Sequence, residues 1–282
     1  MKEKLIIVLI ILAVLFILTI LYSRFIGTGG LYIKEYPIKI PRINNHLHGL
    51  KIVHLSDIHF GNLINEARML HLVDKVNKLE PDLIVLTGDL FCQDLNQEEQ
   101  TILSNTLKKM NAKLGKYAIV GNHDIIFDYW EEVIKNGNFV DLNNRFELIY
   151  YQANQPLILQ GMSSNLNGKL TPTQKIADLE LFIDEHPEFA DAYKILLMHE
   201  PDYVDEFNSK NFNLILAGHS HNGQVRIPFM RPLFLPKGAK KYYKPYYRLD
   251  NTDLYISSGV GNSILSLRLF NRPSFNFYRL MQ

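Results

Sequence analysis

Five short apolar runs of the sequence each lead into Asp, Asn or His residues, and clusters of these residue types can bind metal ions. The runs occupy residues 50–61, 81–90, 116–124, 193–201 and 212–221. The side chains at their ends, in chain order, are Asp57, His59, Asp89, Asn122, His123, His199, His219 and His221. Oxygen and imidazole ligands without a thiolate suit manganese, iron or zinc. The single cysteine, Cys92, excludes a zinc site built from several thiolates.

Two pairs of these residues are separated by one position, Asp57 with His59 and His219 with His221. Side chains two residues apart on an extended segment point to the same side, so each pair is expected to face one cavity. A glycine precedes three of the proposed ligands: Gly88, Gly121 and Gly218. Because glycine lacks a Cβ atom, it permits the sharp turn or close backbone approach that a metal cluster requires.

Strands must position these side chains, because apolar runs of four to eight residues bounded by turn signals are typical of strands buried on both faces. Apolar residues at helical spacing predict a helix within 65–79, and residues 96–114 and 173–185 also favour helices. Strands that alternate with helices predict an α/β layered core, with a site beyond the carboxyl ends of its strands. The short alternating segments 224–228, 253–259 and 273–280 predict antiparallel strands added to this same core.

The five blocks, taken together, resemble the calcineurin-like metallophosphoesterases. They are D-x-H at 57–59, G-D at 88–89, G-N-H-D at 121–124, the lone His199, and G-H-x-H at 218–221, in the family's order. The segments "YPIKIPRI", "GHSHNGQVRIP" and "SGVGNSILSLRLFNRP" also resemble a membrane-anchored, single-domain bacterial subgroup of that family. The resemblance implies an α/β fold of the four-layer α-β-β-α sandwich type.

The resemblance also implies a role for each block. One metal ion would be held by Asp57, His59 and His221, and a second by Asn122, His199 and His219. Asp89 would bridge the two ions, and a hydroxide between them would attack phosphorus. His123 would stabilise the transition state or protonate the leaving oxygen, and Asp124 would orient the His123 ring. The expected cofactors are therefore two divalent or trivalent ions of manganese, iron or zinc.

The implied reaction is hydrolysis of a phosphodiester or pyrophosphate, including lipid-linked or nucleotide-sugar substrates such as a UDP-diacylglucosamine-like glycolipid precursor. A nuclease or cyclic-nucleotide phosphodiesterase is an alternative, but a net charge of +1 does not favour nucleic acid as a partner. A metal-stabilised scaffold without turnover is another, although a degenerate scaffold is expected to have lost ligands. Asn222 and Ser258 depart from the family pattern, where glycine and a basic residue are common, and bear on substrate preference.

The amino terminus carries a separate signal, because the 19 residues between Lys4 and Arg24 contain no charge. A helix of that length spans about 28 Å, close to the ~30 Å hydrocarbon core of a bilayer. We therefore predict a single-pass transmembrane anchor at 1–26, a linker and edge strand at 27–49, and a catalytic domain at 50–282. A cleaved signal peptide is the alternative. The basic residues after the run favour a cytoplasmic domain, whereas the short basic stretch before it favours an extracytoplasmic one, which we prefer.

Residues 227–248 combine apolar side chains with several lysines and tyrosines just after the last block. One interpretation is an ordinary loop with a solvated basic face. The other is a loop that contacts the substrate or the membrane, with apolar residues in lipid and basic residues at phosphates.

Overall fold

The computed structural model describes residues 1–166, 169–263 and 265–282. The helices are α1 Lys2–Leu21, α2 Glu66–Asn77, α3 Gln97–Lys108, α4 Trp130–Asn136 and α5 Pro172–Glu185. The strands are β1 Tyr32–Lys39, β2 Lys51–Leu55, β3 Leu83–Thr87, β4 Gly115–Ile119, β5 Val140–Asp141, β6 Phe146–Tyr150, β7 Pro156–Gly161, β8 Tyr193–Leu197, β9 Leu214–Ala217, β10 Tyr246–Leu249, β11 Thr252–Ile256 and β12 Ser274–Met281.

The strands form two six-stranded sheets that pack face to face. The first has the order β1-β12-β2-β3-β4-β5, and the second has the order β10-β11-β9-β8-β7-β6. Side chains from both sheets share one buried cluster, which includes Val85, Tyr117, Leu197 and Leu216. Helices α2, α3 and α4 cover the outer face of the first sheet, and α5 covers that of the second. The predicted four-layer α-β-β-α sandwich is confirmed.

Local sequence signals account for where the helices begin. The side chain of Asn65 accepts a hydrogen bond from the backbone N–H of Arg68 at the start of α2. Helix α5 begins with a capping box between Thr171 and Gln174, with Pro172 at its first position. Helix α3 ends at Lys108 and is therefore shorter than the predicted 96–114, and residues 109–114 form the connection to strand β4, which begins at Gly115.

The last third of the chain departs from the prediction in two ways. Residues 224–228 form no regular strand, since only Val225 makes an isolated bridge, to Leu269, and Gln224 has a positive φ of 37°. Strand β11 lies antiparallel to β10 but parallel to β9. Strand β12 lies antiparallel to β2 but parallel to β1. The expectation of added antiparallel strands is therefore confirmed for one neighbour of each strand and wrong for the other.

The amino-terminal helix extends away from the sandwich. Residues Lys2–Ile26 form a continuous helix of 25 residues, long and apolar enough to cross a membrane, and its most apolar window is fully exposed. Strand β1 follows it and pairs with β12 over eight residues at the edge of the first sheet. The domain limits at 26/27 and 49/50 stay a prediction.

Candidate metal centre

The proposed ligands meet where the two sheets present the carboxyl ends of their parallel strands. Asp57, His59, Asp89, Asn122 and His123 follow β2, β3 and β4 of the first sheet, and His199, His219 and His221 follow β8 and β9 of the second. Hydrogen bonds join the two groups of loops directly. The backbone N–H of His219 donates to both carboxylate oxygens of Asp57, at 3.0 and 3.1 Å.

The backbone reaches this convergence by left-handed turns. Asp57, His59, His219 and His221 have φ values of 51°, 51°, 65° and 46°. The expectation that each pair lies on an extended segment is therefore wrong. Residues other than glycine rarely adopt positive φ, and such strained positions concentrate at functional sites.

The first cluster contains Asp57, His59 and His221, whose ligand atoms lie within reach of one ion. The Nε2 atoms of His59 and His221 face each other at 3.2 Å. The Nε2 atom of His221 also lies 3.3 Å from Oδ1 of Asp57. Two imidazole nitrogens and a carboxylate aimed at one point form a suitable donor set for a transition metal.

The second cluster contains Asp89, His199 and His219. Oδ2 of Asp89 lies 3.2 Å from Nε2 of His199 and 3.7 Å from Nε2 of His59. Asp89 therefore lies between the two clusters, where the resemblance places a bridging ligand. Its other oxygen, Oδ1, accepts a hydrogen bond of 2.9 Å from the backbone N–H of His123.

The tautomers of two histidines are set by backbone carbonyl groups, which can only accept hydrogen bonds. Nδ1 of His199 donates to the Thr87 carbonyl at 2.6 Å, so Nε2 is the ring nitrogen that faces Asp89 and the centre. Nε2 of His219 donates to the Lys237 carbonyl at 2.8 Å, which leaves Nδ1 free to bind a metal ion. Metal-binding histidines are commonly oriented in this way.

Buried polar atoms without partners support a metal at this position. Nε2 of His199 and Oδ1 of Asn122 are buried and accept no hydrogen bond from any residue that the structure describes. Unsatisfied buried acceptors are rare in folded proteins. The donor atoms present therefore fit divalent cations, although the assignment of individual ligands stays a prediction.

The protonation of the centre also suits metal binding. Burial lowers the pKa of His59 to about 4, and burial together with nearby His59 holds the pKa of His221 well below its usual range. Both rings are therefore neutral at pH 7. Burial acts to raise the pKa of Asp89, but the charge of nearby His199 outweighs burial and holds this pKa well below its ordinary value, while Asp89 in turn, against the effect of burial, holds the pKa of His199 well above its ordinary value. Asp89 is thus an anion at neutral pH, as a bridging ligand requires.

Glycine is required beside the ligands because of close backbone approach. A Cβ atom on Gly88 would lie 2.5 Å from the Gly121 nitrogen and 2.8 Å from Nδ1 of His199. A Cβ atom on Gly218 would lie 1.9 Å from Oγ of Ser56 and 2.7 Å from Oδ2 of Asp57. The predicted role of these glycines in packing the ligand loops is confirmed.

His123 and Asp124 occupy different environments. The His123 ring is half-buried, and its centroid lies 5.0 Å from that of His59. Asp124 is fully buried, and its oxygens accept hydrogen bonds of 2.9 Å from the backbone N–H groups of Phe91 and Gly121. Neither oxygen bonds the His123 ring within the described part of the chain. The geometry instead assigns Asp124 to holding together the loops that carry Asp89 and His123.

Sequence reasoning missed Arg268, whose side chain is fully buried beside the first cluster. Its Nη2 atom lies 3.3 Å from Nδ1 of His221 and donates to the backbone carbonyls of Gly259 and Gly261. Burial lowers the pKa of Arg268 to about 10, so it remains a cation at neutral pH. The segment "SLRLFNRP" contributed to the resemblance, but no local spacing singled out this arginine.

The two departures from the family pattern have structural explanations. Ser258 stands where the family commonly has a basic residue, and its hydroxyl accepts a hydrogen bond of 2.8 Å from Nζ of Lys34. Lys34 on β1 therefore supplies a basic group at this place. Burial, followed by the nearby charge of Arg268, lowers the pKa of Lys34 to about 8. Asn222 has a φ of 47°, which asparagine tolerates, and its side chain donates to the Tyr243 and Ile256 carbonyls.

A cavity of about 370 Å³ opens from the centre. Its polar end is formed by Asp89, Asn122, His123, His219 and His221. Its walls are mostly apolar and include Leu166, Val225, Leu233, Phe234, Leu265 and Leu267, with Lys237 among them.

The class of protein defined by this fold and site agrees with comparisons to known proteins. Residues 50–223 match the calcineurin-like phosphoesterase family, and the chain belongs to that family. It is therefore a metallophosphoesterase, of a family that uses divalent metal ions.

Curated relatives resemble the chain over most of its length. The metallophosphoesterase YkuE of Bacillus subtilis is 28% identical over 92% of this chain and 88% of its own length. The UDP-2,3-diacylglucosamine pyrophosphatase LpxG of Chlamydia muridarum is 23% identical over 94% of each chain. A transmembrane protein with a metallophosphoesterase domain from Danio rerio is 25% identical over 88% of this chain and 57% of its own length. Together with the apolar amino-terminal helix, this last likeness suggests a membrane anchor.

Proposed function

We propose that this chain hydrolyses a phosphodiester or pyrophosphate in an amphiphilic substrate, such as a lipid-linked or nucleotide-sugar glycolipid precursor. The observation that carries the proposal is the cavity, because its polar end is the metal centre and its walls are apolar. Such a cavity would place a phosphate group at the ligands and bury an acyl chain against Val225 and Leu267. The likeness to LpxG supports the same substrate class.

The residues of the chain divide the work of hydrolysis. Two bound ions would supply a water-derived nucleophile at neutral pH and offset charge on the phosphoryl oxygens. Asp57, His59 and His221 would hold one ion, Asn122, His199 and His219 the other, and Asp89 both. His123 lines the cavity and would stabilise the transition state or give a proton to the leaving oxygen. Lys237 lies at the same cavity and adds positive charge for a phosphate group.

The alternatives lack such support. A nuclease binds nucleic acid through basic grooves and aromatic stacking, whereas this cavity is walled mainly by leucine, valine and phenylalanine side chains. A scaffold without turnover has no need of His123, which is present and lines the cavity. We further propose a single-pass membrane protein that is anchored by the helix Lys2–Ile26, and the extracytoplasmic orientation of its catalytic domain stays a prediction.

A substrate panel tests the proposal. The full chain in nanodiscs, supplied with manganese, would be assayed with UDP-2,3-diacylglucosamine, UDP-N-acetylglucosamine, bis-p-nitrophenyl phosphate, cyclic AMP and single-stranded DNA. We expect kcat/KM for the diacylated sugar to exceed that for the sugar without long acyl chains by about tenfold or more, because each buried methylene contributes ~0.8 kcal/mol. Equal rates for these two substrates, or preference for a nucleic acid, would contradict the proposal. A metal-loaded chain that cleaves none of them would favour the scaffold.

A further inference from the structure

Two loops beside the cavity mouth, 227–235 and 265–270, expose large apolar side chains to solvent. Phe229 is fully exposed, Leu233 is 72% exposed and Phe270 is 68% exposed. Phe234 and Leu265 are also exposed, and both line the cavity. Contiguous exposed apolar patches mark sites that bind a protein, a ligand or a membrane.

The two loops form one surface because backbone hydrogen bonds join their bases. The N–H of Arg226 donates to the Leu269 carbonyl at 3.0 Å, and the N–H of Leu269 donates to the Gln224 carbonyl at 3.2 Å. The side chain of Gln224 also donates to the Leu267 carbonyl at 3.1 Å. The apolar side chains of both loops therefore share one rim around the cavity.

The same surface is attached to the end of the apolar helix. The backbone N–H of Arg268 donates to the Ser23 carbonyl at 3.0 Å. Gly27 packs against this segment so closely that a Cβ atom there would lie 1.8 Å from the Arg268 carbonyl oxygen. Residues 23–27 and 268 therefore lie at the same height along the axis of the amino-terminal helix.

That height corresponds to the boundary of a bilayer. A helix of 25 residues, Lys2–Ile26, is about 37 Å long, whereas the hydrocarbon core is ~30 Å thick. Ser23 lies in the last turn of this helix, so it falls near the headgroup region when the helix spans the membrane. Phe270 is only two residues from Arg268, whose backbone N–H donates to Ser23, so its backbone lies within about 7 Å of that of Arg268.

The charges around the rim complement an anionic lipid surface. Arg226, Arg231 and Lys237 lie in or next to the first loop. None of the three makes an ion pair with a carboxylate among the residues that the structure describes. Basic side chains near a membrane surface are attracted to anionic headgroups.

We propose that loops 227–235 and 265–270 form a membrane-docking surface, and that its partner is the bilayer that holds the amino-terminal helix. Phe229, Leu233, Phe234 and Phe270 enter the boundary between headgroups and acyl chains. The cavity then opens at the lipid surface, and, on the proposed function, an acylated substrate passes from the bilayer to the metal centre without crossing water. Docking itself requires no hydrolysis.

Depth-dependent fluorescence tests the docking. In the full chain with Cys92→Ser, single cysteines at Phe229, Phe234 and Phe270 would each carry an environment-sensitive dye, in nanodiscs of phosphatidylcholine and phosphatidylglycerol. The matched control is Leu181→Cys on α5, which is 58% exposed on the outer layer of the second sheet. We expect blue-shifted emission and quenching by doxyl-labelled lipids at the three rim positions but not at Leu181. Three rim dyes as water-exposed as the control dye would overturn the proposal.

A second measurement links docking to substrate access. Phe229 and Phe270 do not line the cavity in its described part, so Phe229→Ser with Phe270→Ser leaves its walls intact. We expect KM for an acylated substrate in nanodiscs to rise about fivefold or more, with bis-p-nitrophenyl phosphate hydrolysis unchanged and Leu181→Ser without effect. Equal losses on both substrates would contradict access from the bilayer. Quenched rim dyes without turnover of any acylated substrate would support docking and refute the proposed substrate, whereas the reverse result would refute docking alone.

Discussion

The metal centre and the proposed membrane-docking surface both contribute side chains to the lining of one cavity, yet the two regions differ in which residue types they bury and expose. At the centre, Asp57 and His199 are completely buried, whereas at the rim Phe229 is completely exposed. Charged and polar groups are almost never fully buried without partners, and a contiguous exposed apolar patch is equally unusual. The backbone at several proposed ligands is left-handed, and Phe229 has the same conformation, with a φ of 65°.

This comparison separates chemistry from substrate choice. The residues of the centre suit phosphoester hydrolysis in general, because metal ligands act on the phosphate group that all such substrates share. The rim and cavity walls contact whatever the phosphate is attached to. Variants of the centre are therefore expected to affect every substrate, and variants of the rim only lipid-presented ones.

The largest effect is expected for Asp89→Ala, because this carboxylate lies between both clusters. We expect hydrolysis of bis-p-nitrophenyl phosphate to fall by at least about 10³-fold, with loss of bound metal measured by elemental analysis. Asp89→Asn keeps the shape of the side chain and serves if the alanine variant fails to fold. The matched control is Asp94→Ala, an exposed residue of the same loop. An Asp89 variant that keeps two ions and full rate would remove Asp89 from the centre.

A smaller loss is expected for His123→Ala, since the resemblance gives His123 no ligand role, although its ring lies within reach of an ion beside His59 and Asp89. We expect a fall of about 10²–10⁴-fold with metal content close to that of the parent chain. Protonation of the leaving oxygen predicts a greater loss for alkyl than for nitrophenyl esters, because nitrophenolate leaves without a proton. Equal losses would favour transition-state stabilisation instead. His71→Ala, an exposed position on α2, is the control, and a rate as high as that of this control would exclude either role.

The smallest effect of the three is expected for Arg268→Lys, which tests the connection between the metal centre and the proposed docking surface. The backbone of Arg268 binds Ser23 at the helix end, and its side chain contacts His221 in the centre. Lysine keeps the charge but loses the planar fork that bonds two carbonyls, so metal affinity is expected to fall about 10- to 100-fold. Isothermal titration calorimetry with manganese would measure this metal affinity, and the exposed Arg272→Lys is the control variant. Parent-like affinity would show that Arg268 only fills space.

Much of the fold was predictable because its signals are local. The five apolar runs all contain strands, β2, β3, β4, β8 and β9, and the helices at 65–79 and 173–185 appear close to their expected limits. Helix α4 was missed because it has only seven residues. The segment 224–228 alternates like a strand, but the positive φ of Gln224 and the exposed Ile227 and Pro228 keep it outside both sheets.

The amino-acid sequence by itself determined which side chains are available for chemistry, their order along the chain, and the apolar runs that precede them. Tertiary structure decided how they combine. His221 meets His59 across 162 positions of sequence, and Arg268 reaches His221 from 47 positions away. The turns that orient these rings are left-handed rather than extended, and the spacing of residues along the sequence does not determine the backbone φ angle. Contacts between distant loops depend on how two sheets pack, and that packing is settled by the whole buried core rather than by any one motif.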